Sequence, residues 1–438
     1  MFIKSKVTKS LAVISLVSAF SFNSFANAHT YIINNEDSNQ YSQDAFTGSR
    51  NTDTLIENTI KSTKSKDIKS MQEDKVFKAP KNKTSISQRA IRSERHYSNA
   101  HLNDVRVFTT VNMRNNTNER TPAKLKYDGK SARVWVADNY ITSKQAINIG
   151  KEFDNKIDPL VRDKFGEPSD VDNDGKVNIL VYDIKDDFDI TGSYTGGYFH
   201  PRDLFDVPHS NMAEIFYMDT YPSMGTNKRN LNEKKIYSTL AHEYQHMVNA
   251  NQKLLKEKRQ QGMDTWLDEA FAMASEHMYL GKSLDYRIDY YNRSNSITNG
   301  HSLIKWGHHG DTLSNYSLSY LFSQYLRTQS DNGDKIFKEI LQDRSNTIES
   351  LQHAIHKHVD PNMSVNQFMT NFRIALAKKE ATGLHGFKGE ESFDSIQTRP
   401  VQQIPNLLAP QGSVMFESEE HIEIPKDKDK KVKYIKID

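Results

Sequence analysis

Residues 236–252 read IYSTLAHEYQHMVNANQ, and the fold and chemistry of the chain are read outward from them. Ile236, Leu240, Met247 and Val248 recur at helical spacing and supply a stripe for burial. Inside the stripe lies His242-Glu243-Tyr244-Gln245-His246. At about 3.6 residues per turn, positions four apart share a face, so both imidazoles can reach one cation. Neutral imidazole nitrogen suits zinc, which prefers tetrahedral sites. Glu243 sits about 100° round the helix from His242, able to face a metal-bound water without itself binding the metal. That is the arrangement of a general base beside a Lewis acid. The bland alternative is a surface helix carrying two half-exposed histidines.

Two histidines leave a tetrahedral site short of one protein ligand besides water. A third histidine in the pattern HExxHxxGxxH is excluded, because the corresponding positions are Asn249 and Gln252. Residues 263–281, MDTWLDEAFAMASEHMYLG, predict a second helix with Asp264 as its N-cap. Its Ala270, Ala272 and Ala274 let another helix approach closely. Glu269 follows His246 by 23 positions, room for a helix end, a turn and a returning helix, and is read as the third ligand. Glu276, two turns further on, is the rival ligand, or else the group orienting a ligand histidine through its other nitrogen. Asp268 is read as facing elsewhere, a favourable charge near the helix start.

HEYQH followed by WLDEAFA resembles the glutamate-zincin pattern HExxH…WLxEGFA of aminopeptidase-N-like enzymes. The resemblance implies His242, His246 and Glu269 as zinc ligands, with Glu243 as base. The spacing here is a few residues longer, and Ala270 replaces their glycine. Most of the mature region, with the whole pre-pro-enzyme layout, is similar to the hyicolysin family of secreted neutral zinc metalloproteinases of Gram-positive bacteria.

Attack of an activated water on a peptide carbonyl builds negative charge that a Tyr hydroxyl or protonated His usually helps to neutralise. Residues 315–326, NYSLSYLFSQYL, predict a helix with Tyr316 near its start, 47 positions after Glu269. In aminopeptidase-N-like enzymes a tyrosine opens a similar helix (YxKGxxxxxxL), which implies that role for Tyr316, although Leu318-Ser319 stands where they have Lys-Gly. His308 and His309, followed by Asp311, are competing donors, and a structural role stays open for each.

Asp170-Val171-Asp172-Asn173-Asp174-Gly175 matches the first half of an EF-hand-type loop, with oxygens at positions 1, 3 and 5 before the turn glycine. Asp170, Asp172 and Asp174 are therefore candidate calcium ligands. The Lys176 carbonyl is expected at position 7 and Asn178 at position 9. Position 12 is Val181, so the bidentate glutamate is missing, and Asp183 or a neighbour among Asp186, Asp187 and Asp189 is expected to substitute. The alternative is a solvated turn. Residues 212–220, MAEIFYMDT, alternate like a strand just upstream of the metal helix, and are the candidate sheet edge for binding peptide as an added strand. The acidic GxMEN-type string by which related aminopeptidases hold a substrate amine is missing, which favours an endopeptidase.

The chain has 438 residues, no cysteine and a formal charge of +2, from 58 basic and 56 acidic residues. Without cysteine there are no disulfides, thiolate metal sites or cysteine nucleophile. Near-zero charge argues against nucleic acid as a partner. Residues 1–28 read as an export signal: Lys4, Lys6 and Lys9, an apolar stretch over 11–20 (LAVISLVSAF), then small residues. About ten apolar residues are too few to span a bilayer, so no stable membrane association is expected after cleavage. Residues 29–101 are polar, with isolated apolar residues, and read as a propeptide; a disordered linker is the alternative.

Order is expected from about Asn103. The fold class expected is α+β and zincin-like: a sheet-rich lobe over 102–225, a helical lobe over 226–390 and a short strand-rich tail over 391–438. The expected function is a secreted zinc endopeptidase acting on proteins or peptides. A non-catalytic secreted binding protein on the same fold and a zinc exopeptidase are the alternatives.

Overall fold

The computed structural model describes residues 28–38, 68–69 (backbone), 77–80, 100–306 and 311–438. The signal segment 1–28, save Ala28, much of 29–101, and His308 and His309 lie outside the described residues. The architecture is α+β, as expected.

Order begins earlier than Asn103. A strand, β1 (His29–Asn35), uses the Tyr31-Ile32-Ile33 run that a reading of the segment as uniformly polar passes over. A two-residue strand, β2 (Ile68–Lys69), follows. The main sheet starts with β3 (Val105–Asn112) and β4 (Thr117–Asp128), a hairpin, and β5 (Ala132–Val136), which turns back after Asp128. The helical pattern over 142–166 appears as α1 (Ser143–Glu152), a π-helical turn at Phe153–Ile157, and α2 (Asp158–Lys164). Thr142 opens α1 with a capping box shared with Gln145.

Next come β6 (Val177–Tyr182), β7 (Tyr194–Thr195), β8 (Gly197–Phe199) and β9 (Ile215–Asp219). The six-stranded sheet runs in the order β3-β4-β5-β6-β9-β8, with β5, β6 and β9 parallel and β8 antiparallel to β9. Strand alternation divides its side chains between two faces. Val134, Val136, Ile179, Val181, Phe216 and Met218 meet the helices on one face. Trp135, Leu180, Tyr182, Ile215 and Tyr217 pack with Phe108, Leu125 and Tyr198 on the other. Both faces are thus buried, which is why β6 is apolar at every position but Asn178, whose amide is bonded to Trp135 and the Glu214 carbonyl. Each such large side chain contributes about 1.5–3 kcal/mol by leaving water.

The candidate substrate edge is corrected here. Residues 212–220 do hold a strand, but β9 lies between β6 and β8 and is not an edge. The chain from Tyr194 to Phe199 returns antiparallel along it, so β8 is the outer strand.

The helical part consists of α3 (Tyr237–Ala250), α4 (Thr265–Leu280), α5 (Asp285–Arg293), α6 (Thr312–Gln329), α7 (Lys335–Gln342), α8 (Thr347–His358) and α9 (Val365–Lys378). Leu240, Ala241, Tyr244, Met247 and Val248 of α3 join the same core as the sheet face above. Ala270 and Ala274 are fully buried, and the Ser275 hydroxyl donates to the Ala241 carbonyl at 3.0 Å, so α4 packs directly on α3. Asp264 occupies the N-cap position of α4 without a side-chain capping bond, and Gly281 ends the helix at φ +64°.

Three strands close the chain: β10 (Pro400–Val401), β11 (Ser413–Ser418) and β12 (Val432–Lys436). With β1 they form a second sheet, ordered β10-β11-β1-β12. The strand from the start of the described chain is therefore antiparallel to both of its neighbours in the tail sheet.

Candidate metal centre

Helix α3 presents His242 and His246 on one face, and α4 returns beneath it with Glu269. The Glu269 Oε2 atom lies 3.2 Å from His242 Nε2 and 3.6 Å from His246 Nε2. All three residues are gathered closely enough to hold one metal ion. The other ring nitrogens face outward from this point. His242 Nδ1 is 2.8 Å from Glu276 Oε1, and His246 Nδ1 is 3.0 Å from Asp268 Oδ1. A carboxylate partner at each Nδ1 suits the tautomer that frees Nε2 to bind a cation. Two imidazole nitrogens and one carboxylate oxygen converging on a point are the ligand types and number of a zinc site, so the donor set fits zinc.

Glu243 is 1% exposed, and its Oε1 has no hydrogen-bond partner. Burial pushes its carboxyl up to about 7, against the pull of His242 and His246. For Glu269, burial would raise the carboxyl, but the two imidazoles outweigh it and hold it below the usual range. The Tyr316 hydroxyl donates to Glu269 Oε1 at 3.4 Å, which brings Tyr316 to the same centre. Its ring lies edge-on to Trp306 at 5.0 Å and under the buried Arg287 guanidinium at 4.6 Å.

Among the sequence candidates, His242, Glu243, His246, Glu269 and Tyr316 are brought together. Glu276 stands behind His242, not among the Nε2 atoms. Asp268 does not face elsewhere: it backs His246 and also accepts from Asn249 Nδ2. Its signal was available in principle, since a ligand imidazole needs a partner for its second nitrogen. The edge strand also meets the centre. A Cβ built on Gly197 would lie 2.9 Å from the Tyr217 carbonyl and 3.3 Å from Glu243 Cγ, so only glycine lets the β8 backbone run against the α3 carboxylate.

The second acidic group, Asp170, Asp172 and Asp174, is likewise drawn together in the loop before β6. Asp170 Oδ1 accepts from the backbone N–H of Asp174 and Gly175 at 2.9 and 3.0 Å. Asp174 pairs with Arg133 and accepts from Lys176 N. Asp172 is 2% exposed with neither carboxylate oxygen partnered. Burial, with the negative charges of Asp174 and Glu214, pushes its carboxyl up to about 8.

The expected completing residues are elsewhere. Asn178 is spent on Trp135 Nε1 and the Glu214 carbonyl. Asp183 pairs with Lys228, Asp186 accepts from Thr195 N, Asp187 lies near Arg114, and Asp189 meets Tyr221.

An HExxH helix faced by a glutamate from a returning helix is the donor set of a metallopeptidase, and the family model and the sequence relative agree on that class. Residues 172–410 match the family model of peptidase M30. The chain is 71% identical over 434 residues to the neutral metalloprotease ShpI of Staphylococcus hyicus, covering 99% of each chain. A solved structure, native yeast LTA4 hydrolase, is similar at 11% identity and TM-score 0.31, over 58% of this chain and 42% of that one. The chain is a metalloprotease and belongs to the peptidase M30 family, bearing out the hyicolysin-family resemblance.

Proposed function

We propose that this protein is a secreted zinc endopeptidase, with His242, His246 and Glu269 holding one zinc ion and Glu243 acting as general base. The observation that carries the reading is the meeting of two Nε2 atoms and one carboxylate oxygen beside a buried, unpartnered glutamate. When bound, zinc supplies Lewis acidity toward a water and the scissile carbonyl. Glu243 takes the water proton on a carboxylate oxygen and passes it to the leaving amine. Tyr316 donates its hydroxyl to the developing oxyanion. Peptide adds as a strand along β8, where backbone bonds give affinity with little side-chain selectivity.

The deciding experiment is Glu243→Gln. Zinc content measured by metal analysis should stay at one per chain while casein cleavage falls to background. Retained cleavage would remove Glu243 as the base, and zinc lost from Glu269→Ala tests the third ligand.

The export reading rests on residues 1–28, and residues 29–101 act as the propeptide of a zymogen. Three contacts support this. Strand β2 pairs in parallel with β7, which leads directly into the edge strand β8. Further on, Phe77 packs on Phe205 at 5.5 Å, and Ala79 N–H donates to the Gln260 carbonyl beyond α3. This polypeptide therefore pairs just before the edge strand and touches the chain beyond α3. A structural calcium ion at Asp170, Asp172 and Asp174 completes the reading.

A further inference from the structure

The loop Asp170-to-Gly175 carries more negative charge than its surroundings neutralise. Gly175 at φ +69° and Asn173 at φ +54° make the sharp turn of a cation loop. The chain then leaves it at once, because β6 begins at Val177 and its residues up to Tyr182 are all buried. A glutamate at the loop's twelfth position is therefore ruled out: that position is Val181, inside the sheet.

The neighbouring strand supplies the substitute. β6 and β9 are parallel with Asn178 opposite Ile215, so Glu214 lies beside Val177, the first residue after the loop. Glu214 is fully buried. Its Oε1 accepts from Val171 N–H at 2.9 Å, within the loop itself, and its Oε2 has no partner. Asp172, 2% exposed, has both oxygens in the same condition. Three carboxylates, those of Asp170, Asp172 and Asp174, thus gather within reach of one ion, and Glu214 is bonded to the same loop. Two guanidinium groups face them: Arg133, bonded to Asp174, and Arg106, whose charge acts on Asp172 and Asp174. Arg133 also bonds Asp128, whose charge Lys176 offsets, so with the carboxylates ionised two negative charges are left over, the complement of one divalent cation.

We propose that Glu214 is the closing ligand of a Ca²⁺ site whose other protein oxygens come from Asp170, Asp172 and Asp174. The inference rests on the calcium reading above and adds a ligand from another element. An all-oxygen, carboxylate-rich donor set on a loop suits Ca²⁺ over zinc, and over the smaller Mg²⁺ with its strict octahedral demand. The ion pins the loop to the start of β9, two strands into the sheet that ends at the metal-helix edge.

The test uses the full chain with zinc loaded and calcium removed on a chelating resin. Calcium binding is followed by equilibrium dialysis with ⁴⁵Ca²⁺, and Tm is measured with and without millimolar Ca²⁺ or Mg²⁺. The wild type should take one Ca²⁺ per chain, with Kd on the order of 10⁻⁴ M, and gain Tm with Ca²⁺ but not Mg²⁺. Asp172→Asn should lose the binding. Glu214→Gln and the shortened Glu214→Asp should weaken it at least about tenfold, with zinc content unchanged in each. Wild-type affinity in both Glu214 variants overturns the inference and leaves the calcium site standing. No binding by the wild type, with Asp172→Asn more stable whether or not Ca²⁺ is present, overturns both.

Discussion

The two carboxylates behind the imidazoles do different work from the one between them. In the proposed site, Glu276 and Asp268 would fix which ring nitrogen carries the proton and so which lone pair points at the metal. Replacing either by its amide, Glu276→Gln or Asp268→Asn, should weaken zinc binding about 10- to 100-fold, read by competition with a calibrated chelator. Unchanged affinity would reduce them to ordinary surface partners. The HExxH pair and Glu269 were legible in the sequence, because helical period alone puts the histidines on one face. Asp268 was not, since its direction is set by how α4 crosses α3, a property of packing and not of spacing.

A residue outside the chemistry gives a cleaner pH prediction. Burial, helped by the Arg327 charge, holds His277 down to about 4, with its ring against Phe393 and Nδ1 3.0 Å from Tyr320 OH. The unfolded chain protonates this residue at its ordinary value, about 6.5, while the folded chain refuses the proton. Stability is therefore full above that pH and falls as pH drops toward 4, by about 2–3 kcal/mol. His277→Gln should flatten that part of the stability curve, measured by denaturant melts across the range. An unaltered slope would assign the acid sensitivity to other groups.

At the level of elements, the edge strand is the most exacting piece. Substituting Gly197→Val drives a side chain into the Tyr217 carbonyl and Glu243, so β8 must move away from α3. Cleavage of protein substrates should fall at least about tenfold with zinc content unchanged, because a misplaced edge costs positioning and not metal. Equal activity would show that peptide does not use this edge. Strand and helix identities were mostly readable from periods of 2 and 3.6. That β9 is internal was not, because edge or interior is settled by the return of Tyr194-to-Phe199, and local alternation looks the same either way. The tail sheet makes a similar demand on packing. Ile33, fully buried between β11 and β12, should cost about 2–5 kcal/mol as Ile33→Ala in thermal melts.

Across the whole molecule, one continuous core runs from the main sheet through α9, so the sheet and the helices are not separately folding units. Rigidity comes from that core and from the proposed cations, as the chain has no cysteine to spend. At the centre, His242, Glu243 and Glu269 are each at most 3% exposed. Intact protein should accordingly cleave casein at least about tenfold more slowly than protein nicked between residues 80 and 100, since strand addition needs an open edge. Equal rates before and after nicking would sink the zymogen reading. Composition foretold the polarity of residues 29–101, but not the seven-residue strand within it. Three apolar residues have little weight in an average, and their value depends on a partner nearly four hundred positions away.

That partner has a consequence for manufacture. Tyr31 is zipped between Phe416 and Lys436, and the His29 ring reaches Asp438 at 3.2 Å. A ribosome must therefore deliver almost every other residue before this early ribbon finds its seat. A chain halted short of Ser413 leaves a greasy thread dangling, a ready handle for quality-control proteases.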